Sequence, residues 1–97
     1  MNVSEKIGTP ALLEQCAEEC NELAHACLKM ARKLRNENPT PAKEEDILNS
    51  LVEEIANIWV CIGEIVNSDI VSYDAVDSVV MQKRQRWENR IAEKENN

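Results

Sequence analysis

Apolar residues recur every three or four positions through most of this chain, and the recurrence breaks down only twice. No other feature constrains the fold as tightly. A period of 3.6 lays apolar groups along one side of a helix, whereas a half-buried strand needs a period of two. Punctuation is also sparse, with two glycines and three prolines in 97 residues. A sheet would need more turns than these can mark. The sequence therefore predicts an all-α single domain over residues 1–97, with helices at about 10–36, 41–67 and 72–93.

Each helix has a readable start. In "GTPALLEQ", Thr9 is the expected N-cap and Pro10 suits the first helical position. The first apolar stripe runs Leu12, Cys16, Cys20, Leu23, Cys27, Met30 and Leu34, and "NENPTP" ends it near Asn36. Thr40 and Pro41 repeat the same start, with a slip to about residue 44 as the alternative; Glu44, Glu45 and Asp46 then complement the positive end of the helix dipole. Leu48, Leu51, Ile55, Ile58, Ile62 and Ile65 form the second stripe. Ser72 is the expected cap of the third helix, whose stripe is Val76, Val80, Trp87 and Ile91, with a fraying tail at "KENN".

Three helices enclose a narrow core, and the second is apolar around much of its circumference. The expectation is a homodimer or homotetramer that completes a four-helix-type bundle between chains. A formal net charge of −7 argues against a general grip on nucleic acid. No run of about eighteen apolar residues suggests a membrane span, and no leader is visible, so the cytoplasm with reduced thiols is the expected setting. Cys16, Cys20 and Cys27 read as small buried hydrophobes, and zinc is disfavoured because no CxxC occurs. Trp59 and Trp87 at helical spacing read as core rather than as a base-stacking platform, and His25 reads as solvent-exposed.

Two acidic pairs break the apolar pattern in the same way. At about 100° per residue, Glu19 lies roughly 70° and Glu22 roughly 130° from the centre of their stripe. Glu54 and Asn57 fall at roughly the same two offsets, in the same rotational sense, on the second helix. If these helices pack antiparallel, four oxygen-bearing side chains face one another at the edge of the core. Gathered carboxylates persist when a cation or protons compensate them, and oxygen ligands select Mg²⁺ or Mn²⁺. On the third helix Lys83, Arg86 and Arg90 recur at i, i+3 and i+7, a spacing suited to phosphate oxygens. The plain alternatives are solvated helix flanks for the acids and dipole compensation for the bases.

At these residues the chain resembles the MazG-like family of all-α nucleoside triphosphate pyrophosphohydrolases, whose signature is EExxE, a variable gap, then ExxD. The first half stands here as Glu18-Glu19-Cys20-Asn21-Glu22 and the second as Glu54-Ile55-Ala56-Asn57. The likeness runs from about residue 10 to 92, and the layout is similar to that of short single-domain members from bacteria and prophages. It implies Mg²⁺-dependent cleavage of a (d)NTP to the (d)NMP and pyrophosphate in a dimer or tetramer. It implies Glu19, Glu22, Glu54 and Asn57 around the metal, Glu18 and Glu19 in the catalytic step, and Lys83, Arg86 and Arg90 on the phosphates.

The chain departs from the signature at Asn57, where the family has aspartate. An amide oxygen can coordinate a hard cation but brings no charge. That leaves three readings: a working pyrophosphohydrolase, a catalytically silent metal- or nucleotide-binding protein on the same fold, and a structural helical module.

Overall fold

The structure is a computed structural model that describes residues 2–36 and 39–96. It is all-helical, with no strand among the described residues, and holds four helices: α1 (Val3–Ile7), α2 (Thr9–Arg35), α3 (Glu44–Asn67) and α4 (Tyr73–Glu95). The helices expected at about 10–36, 41–67 and 72–93 are α2, α3 and α4. The break after Asn36 was expected to include Glu37 and Asn38, and the fraying tail to include Asn97; these three lie outside the described residues.

The short α1 was not expected, although its grammar is present. Asn2 Oδ1 accepts from the Ser4 amide at 3.2 Å and from Ser4 Oγ at 2.7 Å, a capping arrangement. Gly8 ends α1 and opens α2 at φ 89°, ψ 150°, a backbone conformation that suits glycine. Gly8, not Thr9, is therefore the N-cap of α2, and the helix starts one residue earlier than expected. The Val3 amide donates to Glu64 Oε2 at 3.3 Å and so ties α1 to the C-terminal half of α3.

α3 begins at Glu44, the later of the two expected starts, so the Thr40–Pro41 start is corrected. Lys43 holds the cap position without a side-chain bond, and the three acids of the first turn take over by complementing the dipole. Thr40 lies outside α3, where its carbonyl accepts from Lys33 Nζ at 3.3 Å. Asn36 closes α2 in the left-handed conformation, with its amide donating to the Arg32 carbonyl. Ser72 caps α4 as expected, its Oγ accepting from the Ala75 amide at 3.0 Å. Replacing Ser72 by alanine should cost about 1 kcal/mol of local helix stability. Faster amide exchange at Ala75, with exchange in α2 unchanged, is the expected readout.

α2 and α3 pack as an antiparallel hairpin, the main tertiary contact of the chain. Their contact lines repeat in steps of four and three. On α2 the line is Leu12, Cys16, Glu19, Leu23, Ala26, Met30 and Lys33, every one buried or half-buried. On α3 it is Ile47, Leu51, Glu54, Ile58, Cys61 and Ile65, again all buried or half-buried. Leu12 and Ile47, each only 2% exposed, anchor opposite ends of the hairpin.

The expected stripes are corrected on this basis. On α3, Leu51, Ile58 and Ile65 face α2, but Leu48, Ile55 and Ile62 belong to a second line beside the first and are exposed. On α2, Cys20, Cys27 and Leu34 are likewise exposed. α4 packs on neither helix, and all its residues are exposed. The radius of gyration is 17.3 Å, against about 13 Å for a compact chain of this length. Trp59 and Trp87 are 74% and 66% exposed, so neither is core within the single chain. Among the described residues no helix is long and apolar enough to cross a membrane.

Candidate metal and phosphate site

The hairpin sets its own register. The Cys61 thiol lies near Glu19, and Leu23 shares a groove with Ile55, Ile58, Trp59 and Ile62. The same register puts Glu22 near the level of Asn57 and Glu54 near the level of Ala26. Burial of a residue as small as alanine leaves room for a longer side chain from the facing helix.

Glu54 is the anomaly of the hairpin. It holds a place in the inner contact line of α3 that a leucine or isoleucine would ordinarily fill. Its Oε2 is shut off from solvent and has no hydrogen-bond partner. A buried, unsatisfied carboxylate oxygen costs stability, so it calls for a specific explanation. Glu19, half-buried on the facing line, differs: Gln15 Nε2 donates to its Oε1 at 2.9 Å across one helical turn. The sequence reading missed Gln15, although its i,i+4 spacing from Glu19 was a usable signal. Asn57 is half-buried on the turn after Glu54. Glu18 and Glu22 are exposed.

Along the hairpin the carboxylates form a ladder rather than a cluster. Glu19 and Glu54 differ by about one heptad in level, roughly 10 Å along the axis. Among the described residues no three Asp, Glu, His or Cys side chains converge closely enough to hold a metal ion. The donor chemistry still suits a hard cation. Mg²⁺ is commonly held by one or two carboxylates together with substrate phosphates and water, not by a cage built wholly from protein. On that pattern Glu54, Asn57 and Glu22 or Glu19 are the residues that would hold it.

The cationic residues lie elsewhere. Lys83 and Arg90 flank Trp87 on one face of α4, and Arg86 lies on a neighbouring face with Met81, Gln82, Gln85 and Asn89. Because α4 packs on neither α2 nor α3, the single chain does not bring these bases to the acids. His25 is exposed, as expected.

Cys16, Cys20 and Cys61 sit around the Glu19 end of the acid ladder. Burial first, then Cys20 and Cys61, push the Cys16 thiol above its ordinary value. Burial first, then Glu19 and Cys20, do the same to Cys61. Both therefore favour the protonated thiol at neutral pH. Of the expected buried set, Cys16 is half-buried and Cys20 and Cys27 are exposed; Cys61 is the buried one. At pH 8, iodoacetamide should alkylate Cys27 at least tenfold faster than Cys61, as mass spectrometry of the tryptic peptides would show.

Compared with protein-family models, curated proteins and solved structures, the chain matches none.

Proposed function

We propose that the chain is a Mg²⁺-dependent nucleoside triphosphate pyrophosphohydrolase that acts as a homo-oligomer. The observation that carries this reading is the partnerless, solvent-free oxygen of Glu54 in an otherwise apolar contact line. A solvent-free carboxylate oxygen with no protein partner is one that a hard cation would satisfy. Asn57 one turn on, and Glu19 and Glu22 on the facing helix, supply further oxygen donors along the same side of the hairpin. The resemblance to the MazG-like signature falls on these positions.

A bound divalent cation would screen phosphate charge and polarise a phosphoryl oxygen. The remaining work belongs to the chain. Glu18 and Glu22, both exposed on the acidic flank, are free to hydrogen-bond an approaching water. A glutamate in that position accepts a proton as the water oxygen bonds to phosphorus at the α–β anhydride. The bridging oxygen departs with the other phosphorus, leaving the nucleoside monophosphate and pyrophosphate, and the proton passes to solvent. Gln15 donates to Glu19 and so helps to orient that carboxylate. Lys83, Arg86 and Arg90 would neutralise the polyphosphate once α4 is brought to the acids.

The test is pyrophosphate release from a panel of (d)NTPs with Mg²⁺ or Mn²⁺. Release from at least one of them is expected, and silence across the panel overturns the reading. Asn57 and the open spacing of the acids favour a second reading, nucleotide binding without turnover. Calorimetric binding of a triphosphate that is never cleaved would establish it. If nucleotide and Mg²⁺ together leave the melting temperature unmoved, the structural module stands.

A further inference from the structure

The outer line of α3 is as regular as the inner one. Leu48, Val52, Ile55, Trp59 and Ile62 step by four and three residues and are all exposed, from 41% for Ile55 to 74% for Trp59. A second heptad seam on a helix that already has one specifies a second helical partner. Another uncovered heptad line is on α4: Tyr73, Val76, Val80, Lys83 and Trp87, stepping by three and four. The two helices match in length, at 24 and 23 residues.

We propose that α4 is an exchanged arm: in a dimer, the α4 of each copy lies along the outer seam of the other copy's α3. Two observations select this occupant. First, the chain exposes 7905 Å², against about 5,600 Å² for a compact monomer of 11.0 kDa. The excess of about 2,300 Å² is on the scale that a permanent dimer buries.

Second, α3 carries no base, so its seam does not repel Lys83, Arg84, Arg86 and Arg90 of α4, whereas parallel pairing of two α4 helices would set these four against their own copies. The chain's own α4 does not take the seam either, since it stands off the hairpin after the turn at Asp69, a left-handed residue at φ 68°. The seam and Asn57 flank the inner contact line of α3 on opposite sides, so the dimer does not depend on the catalytic reading, and the exchange by itself does not carry Lys83, Arg86 and Arg90 to the acids.

Light scattering of the full chain at micromolar concentration, with far-UV dichroism to follow helicity, tests the exchange. The wild type should show twice the chain mass. Val80→Glu on α4 and Trp59→Glu on α3 should each shift the mass toward one chain with helicity retained, because both side chains are exposed within the chain. Mixing the two variants should restore association, since one intact α4 then meets one intact seam. A monomeric wild type overturns the proposal. So does a Val80→Glu chain that stays dimeric while Trp59→Glu dissociates, the pattern of two α3 seams packed on each other without α4. Failure of the mixture to associate would likewise refute it.

Discussion

Replacing Glu54 by leucine should raise the melting temperature and abolish turnover together. In the inner line of α3, position 54 lies between Leu51 and Ile58, both turned toward α2, and its Oε2 is shut off from solvent with no hydrogen-bond partner. Leucine removes that unsatisfied oxygen, worth about 1–3 kcal/mol, and fills the same contact position with apolar volume. For a chain of this size the gain corresponds to roughly 5–15 °C, measured at fixed protein concentration. If Glu54 is a donor to the cation, pyrophosphate release should fall by about a hundredfold or more. Stability gained where activity is lost is the signature of a position kept for function at a structural cost. A lower melting temperature with release unchanged would mean that the carboxylate serves packing alone, and the site would lose its main support.

Much of the hairpin was legible because its causes are local. Asn36 stops α2, Ser72 caps α4 and three acids open α3, and each of these acts within one turn. The depth of each apolar residue was not legible. The average stripe of α3 drew Leu48, Ile55 and Ile62 together with Leu51, Ile58 and Ile65, since the two lines lie only about 100° apart and a single period fits both. Only the facing helix shows which line is taken. The exposure of Trp59 and Trp87, both expected in the core, has the same origin: helical spacing puts them on apolar lines, but neither line is covered within the chain.

The site was legible in part for a related reason. Rotational offset placed Glu19, Glu22, Glu54 and Asn57 on one side of an antiparallel pair, but offset says nothing about level along the axis. Level comes from the register, which sets Glu19 beside Cys61 and nearly a heptad away from Glu54. The bases of α4 could be grouped by spacing, but their distance from the acids depends on a turn at Asp69 that residue types alone do not define.

Asn57→Asp should restore the fourth charge, with opposite effects in the two metal states. The new carboxylate would lie i,i+3 from Glu54, where like charges repel on a helix. Without Mg²⁺ the variant should melt a few degrees below the wild type, because a half-buried acid is added beside an unsatisfied one. With saturating Mg²⁺ and nucleotide the order should reverse. A ligand present at a hundred times its dissociation constant adds about 2.7 kcal/mol, and the extra carboxylate should tighten cation binding by about tenfold or more. Pyrophosphate release should rise in step wherever cation occupancy limits the wild type. The crossing of the two melting orders makes the experiment decisive, since a purely structural asparagine would give the same order in both states. A crossing with turnover in the variant only would make the natural chain a nucleotide binder tuned away from catalysis. A crossing with turnover in both would make Asn57 a tolerated ligand of a working enzyme.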